Sequence, residues 1–179
     1  MSKVLNVKKN KFPRIIAYII DYLTIILSTS VISFYAINTE LGINYIILNE
    51  LPKEFRLMYD IIAISVSIVA IIVIPLFNKG RTIGKRIMHL DLISKDNNSI
   101  SHFKIFIRQG LVIFLLGGIL NPNHLYLIDF LNLSVNNFFG SIQMLINGLS
   151  IFCIFMFLFT KSGTTLYDKY LNLKVEANK

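Results

Sequence analysis

A run of about twenty apolar residues is long enough for a helix to cross a bilayer. In water it would have to be buried on every side, and a small domain cannot bury several such runs at once. This sequence holds four of them, at approximately residues 14–37, 58–77, 103–120 and 141–160. Of its 179 residues, 54% are hydrophobic and 16% charged, with a mean hydropathy of +0.63, too little polar side chain to cover a soluble core of that size. The expected fold is an all-α membrane protein: a four-helix transmembrane bundle forming a single domain over residues 1–179. Residues 121–140, "NPNHLYLIDFLNLSVNNFFG", are apolar but broken by Asn, Pro and Asp129. They are expected to form an interfacial or re-entrant piece rather than a fifth span.

The basic residues orient the spans. Lys3 to Arg14 precede the first run, Lys79 to Arg108 lie between the second run and the start of the third, and Lys161 to Lys179 follow the fourth. These groups hold 16 of the 18 Lys and Arg, against Lys53 and Arg56 between the first and second runs. Both termini and the central loop are therefore expected in the cytoplasm, with the chain multi-pass in the cell membrane. This placement accounts for the net charge of +8 without a nucleic-acid partner. The first run is too long for a signal peptide and lacks a small-x-small cleavage site, so it is expected to remain as a span.

Within that first run, "PRIIAYIIDYLTIILS" places Asp21 where a carboxylate costs about 2.5–3.5 kcal/mol on insertion scales. Arg14, Tyr18, Asp21, Thr24 and Ser28 follow one another at three- and four-residue steps, a polar seam expected to face the bundle interior. Arg14 lies about 10.5 Å along the helix from Asp21. Arg108, in "HFKIFIRQGL", enters the third run at a similar depth, so an Arg14–Asp21–Arg108 cluster is expected. Such a carboxylate could bind a cation or proton, or could simply pair across helices. Asp60, with Ser67 one seam-length on, reads as a charge near the outer helix end.

Two cytoplasmic segments carry patterns of their own. "KGRTIGKR" holds Gly80, Thr82, Gly84, Lys85 and Arg86, but its glycines are four apart rather than five, and Arg86 stands where a phosphate loop needs Ser or Thr. A basic turn against lipid headgroups fits better. "HLDLIS", "KDNN" and "SISH" suggest a short hairpin, and "YLNLKVE" a third strand; together they make a small cytoplasmic β-like element. The lone cysteine, Cys153, allows no internal disulfide, and the three histidines have no partners at metal spacing. No metal, cofactor or enzymatic chemistry is expected.

Taken together these pieces resemble the RDD family of bacterial membrane proteins, named for an arginine opening its first helix, an aspartate within that helix, and a further aspartate. Arg14 and Asp21 in "RIIAYIIDYL" match the first two. "GRTIGKRIMHLDLIS" resembles its G-x-T-x-G-K segment and "FIRQGL" its third-helix arginine. "LYDKYLNLKV" resembles its C-terminal segment, which makes Asp168 the remaining aspartate, with Tyr167 where His is common and Leu173 where Thr is common. The resemblance adds Asp168 to the ion or proton candidates Asp21, Arg14 and Arg108, and implies contact between Asp168 and Arg108, Arg14 or Lys85. Cation/proton antiport has been proposed for some members. Two functions follow: an exchanger of protons and monovalent cations, or a non-transporting scaffold, partner subunit or immunity or stress-protection protein whose Arg–Asp network is structural. Four spans are few for a transporter, so a homo-oligomer in the lipid bilayer is expected under the first.

Overall fold

The computed structural model describes residues 2–42, 46–95, 99–110, 122–135, 140–159 and 165–177. Its longest element is α1 (Ser2–Leu41). Along it, Ala17, Ile25, Thr29, Ser33 and Ile37 are buried. The steps between them are multiples of four residues, and each four-residue step overshoots one helical turn by about 40°. The buried face therefore winds about 200° around the helix from Ala17 to Ile37, because different elements cover its two ends. Ile15, Ile19, Leu23, Leu27, Val31 and Tyr35 form a parallel exposed stripe.

After a single 3-10 turn (Leu48–Glu50), Pro52 opens α2 (Lys53–Ile68). Its axis continues through a π-turn (Val69–Val73) into α3 (Ile74–Phe77). Pro75 explains the wider turn: it has no N–H for the carbonyl four residues back, and a π-turn re-routes the ladder, Ile74 N–H donating to the Val69 carbonyl. The residues from Lys11 to Leu41 and from Lys53 to Phe77 form two helices long and apolar enough to cross a membrane. These contain the first two expected spans. For the third, the structure describes α5 (His102–Phe106) and a wider turn over residues 107–110; residues 111–120 lie outside the described residues. The fourth corresponds to α7 (Gly140–Phe159), whose Met144, Leu149 and Phe155 are exposed. Within 121–140, Pro122–Val135 forms helix α6, which packs along α2 through the Tyr59–Tyr126 ring pair. Residues 121 and 136–139 lie outside the described residues.

The remaining elements are short. Chain reversal at the end of α3 uses Gly80 at φ +83°, whose N–H returns 2.7 Å to the Pro75 carbonyl; a Cβ there would strike the Leu92 side chain. Thr82 then caps α4 (Ile83–Ile87). Strand β1 (Leu90–Ser94) follows, and after α8 (Leu166–Tyr170) the chain closes with β2 (Leu173–Ala177). β1 and β2 pair antiparallel, Leu92 opposite Val175. The expected local hairpin is thus corrected. "HLDLIS" pairs with "LNLKVE" from the far end of the chain, and Ser101 of "SISH" instead caps α5 by accepting from Lys104 N–H. The turn residues 96–98 lie outside the described residues.

Among the described residues, two apolar cores result. One gathers Ala17, Leu90, Leu92, Ile105, Leu173 and Val175 under the sheet. The other gathers Ile37, Tyr59 and Ala63, with Phe55 and Tyr126 against them. Twenty residues of α1 separate Ala17 from Ile37, about 30 Å of helix. The end of α7 belongs with the first core, since Lys11 Nζ donates 3.0 Å to the Leu158 carbonyl.

Candidate functional site

Asp168 sits in the first turn of α8, where the Thr165 hydroxyl accepts its backbone N–H. Its side chain is fully buried. Arg108 Nε donates to Oδ1 at 2.7 Å and Arg14 Nη2 to Oδ2 at 3.2 Å, so one carboxylate ties together the first helix, the start of the third apolar run and the C-terminal segment. Each arginine is also backed by a ring: Arg14 lies 5.1 Å from the Phe157 centroid and Arg108 5.6 Å from that of Tyr167. Arg108 further donates to Gln109 Oε1 at 3.3 Å. Burial alone would push the Asp168 carboxyl up, but the guanidinium groups of Arg108 and Arg14 outweigh it and hold it below the usual carboxylate range. The same burial, reinforced by the Asp168 charge, pushes the Tyr167 phenol up.

Asp21 makes a different attachment. The Thr82 hydroxyl donates to Oδ2 at 2.6 Å and the Gly84 N–H to Oδ1 at 2.7 Å. Asp21 therefore caps the first turn of α4 from another element, satisfying a backbone donor, the Gly84 N–H, that the helix cannot satisfy itself. This contact requires Gly84, because a Cβ would lie 1.9 Å from the Ala17 carbonyl oxygen. The four residues expected as one set thus form two latches about two turns apart on α1. Arg14 and Arg108 converge on Asp168, and Asp21 engages α4 instead of either arginine.

The other candidates separate in the same way. Thr24 and Ser28 are half-buried and Tyr18 borders on exposed, while the buried stripe runs through Ala17, Ile25, Thr29 and Ser33; Thr24 Oγ1 donates back to the Ile20 carbonyl in its own helix. In the basic turn, Gly80, Thr82 and Gly84 are buried against the sheet and α1, and Arg86 stays exposed. Arg86 borders a small groove with Phe77, Asn78, Lys79 and Arg81, of which Arg81 pairs with Asp91. Lys85 turns inward. Its side chain is half-buried as a whole, yet Nζ is shielded from solvent and has no hydrogen-bond partner among the described residues. Burial, then the nearby Arg108 charge, push the Lys85 amine well below the ordinary lysine range, and Asp168 and Asp21 offset only part of this.

At the other end of α1, sequence reasoning missed a further ion pair. Arg56 donates to both oxygens of Asp129, at 2.7 and 2.6 Å, joining α2 to α6. The signal available was Asp129 in an otherwise apolar segment, with Arg56 one of several charges around the start of α2. Asp60, expected as a helix-end charge, is 1% exposed, and its Oδ2 finds no hydrogen-bond partner among the described residues. It faces inward beside Ala63 and Ser67, which sit three and seven residues on along the same helix face.

Comparison with known proteins places these latches in a wider setting. No curated protein and no solved structure matches the chain. The family model described as the RDD family matches residues 10–172, a stretch that includes Arg14, Asp21, the basic turn, Arg108 and Asp168. On that match the chain belongs to the RDD family.

Proposed function

We propose that this RDD-family protein is a multi-pass cell-membrane protein with both termini cytoplasmic, and that it acts as a scaffold whose Arg–Asp network fastens a cytoplasmic cap to a four-helix bundle. The cap is α4, β1, α8 and β2. The observation carrying this reading is that both oxygens of Asp21 and both of Asp168 already accept bonds from other elements, leaving neither carboxylate open to a substrate. Support for membrane insertion comes from the stretch between the two cores, about 30 Å of helix with an exposed Ile, Leu and Val face. The exposed Lys79 and Arg86, beside the exposed Phe77 at the end of α3, suit anionic headgroups. The test is Asp21→Asn and Asp168→Asn in purified protein. Both should lower abundance and melting temperature, and proteoliposomes of the wild type should hold ion fluxes at the empty-liposome background. A solute gradient driven by the wild type would overturn the scaffold reading.

A second reading, exchange of a proton against a monovalent cation, draws on a separate observation. Two titratable side chains inside the molecule, Asp60 and Lys85, each present a buried atom without a partner among the described residues. Under it, a Na⁺ or K⁺ gradient across proteoliposomes, in this case of an assembled oligomer, should drive a pH change. Equal flux in wild type and Asp21→Asn would then move the exchanged proton away from Asp21.

A further inference from the structure

Around Lys85 the charges can be counted. Arg14 approaches from α1, Arg108 from the turn after α5, and Asp168 from α8; Asp21, again from α1, completes the set of charges acting on the amine among the described residues. Two guanidinium groups thus face two carboxylates, and the four balance without Lys85. Both carboxylates are also committed, Asp168 to the two arginines and Asp21 to Thr82 and Gly84. No ion pair joins Lys85 to either among the described residues, and its Nζ is shielded from water. A third permanent cation here would be both desolvated and uncompensated, which is the least favourable state for a buried charge.

We propose that Lys85 is a proton-binding site: its amine is neutral in the closed structure, and a proton taken up there adds the one charge that the two latches cannot balance. The amine's displacement well below the lysine range agrees with this geometry. The site's existence is independent of either functional reading. Its use as the loading group of an exchanger rests on the exchange reading, in which Lys85 rather than Asp21 would carry the proton. Protonation would strain both latches together, because the charged residues of both act on the amine, and so it would couple proton uptake to release of α4 and α8 from the first helix.

The sign of the pH dependence follows from linkage. The unfolded chain carries Lys85 protonated up to its ordinary pKa of 10.5, whereas the folded chain does not, so wild-type stability rises with pH across that interval. Lys85→Met removes the group. Its melting temperature in full-length protein should exceed that of wild type at neutral pH, and the gain should shrink by about 3–5 °C per pH unit as pH approaches 10. Lys85→Arg, which cannot release its proton, should melt below wild type at neutral pH. A difference between wild type and Lys85→Met that stays constant with pH would overturn the proposal. So would a wild type stabilised by inorganic phosphate in a manner that Lys85→Met abolishes, since Lys85 would then be an ammonium holding an anion. If Lys85→Met does not fold, Lys85→Gln is compared in the same way. Background-level flux alongside the expected pH slope would reject exchange while leaving the proton site intact.

Discussion

At the scale of single residues, the energetics favour Asp168 over Asp21 as the more consequential acid. Removing Asp168 leaves Arg108, which is 3% exposed, as a buried cation without its carboxylate. Breaking one side of such a pair typically costs about 3–5 kcal/mol, so Asp168→Ala should unfold the cap or abolish expression. Asp21→Ala strands one hydroxyl and one backbone N–H, which costs about 1–3 kcal/mol and should lower the melting temperature without preventing folding. Acid should act through Asp168 as well. Its carboxyl is held below the usual range, so its contribution is fully present above pH about 4 and is lost as pH falls through the folded value. Thermal melts between pH 3 and 7 should therefore show an acid limb that Asp168→Asn lacks. These roles were only partly legible. The sequence marks Arg14, Asp21 and Arg108 as a set, the family resemblance adds Asp168, and depth along the helices suggests that Asp21 meets Arg108. Depth does not determine rotation about the axis, and it is rotation that turns Asp21 toward α4 and leaves both arginines to Asp168.

At the scale of elements, α4 carries more of the architecture than its five residues suggest. It is held against one face of α1 by the Asp21 cap and by backbone contact with Ala17 one turn away. Gly84→Ala should be more damaging than an ordinary overpacking change of about 1–3 kcal/mol, since the added methyl meets a backbone carbonyl at 1.9 Å rather than a side chain that can rotate. Circular dichroism and melting of Gly84→Ala against Gly148→Ala, where a Cβ meets nothing, would measure the difference. The sheet shows where local reading ends. Alternation in "HLDLIS" and "YLNLKVE" marks both strands correctly, but alternation contains no information about which strand pairs with which. The partners lie about eighty residues apart, and the nearer candidate is diverted because the Ser101 side chain starts a helix. Pro75 marks where the ladder of α2 has to change but does not by itself dictate a π-turn, since Pro13 lies inside α1 without one.

At the scale of the whole molecule, segments far apart in sequence sort to two ends of one long helix. Residues near Ala17 meet the basic turn, the sheet and the end of α7; residues near Ile37 meet the start of α2 and α6, with the Arg56–Asp129 pair on that side. The distribution of charge follows the same division: Lys79, Arg81, Lys85 and Arg86 belong to the first end, Lys53 and Arg56 to the second. The proposed topology, from the positive-inside rule, puts the first end in the cytoplasm, and it can be tested directly. With Cys153 replaced by Ser, a cysteine at Glu50 in the exposed 3-10 turn should react with a membrane-impermeant thiol reagent added to intact cells. A cysteine at Lys95, at the exposed end of β1, should react only after the membrane is opened. Both positions are exposed, so a difference between them reports the barrier and not local burial. Labelling of both from outside would remove the bilayer from between the two cores. The reverse pattern would keep the bilayer and invert the chain, placing the Asp168 latch outside the cell.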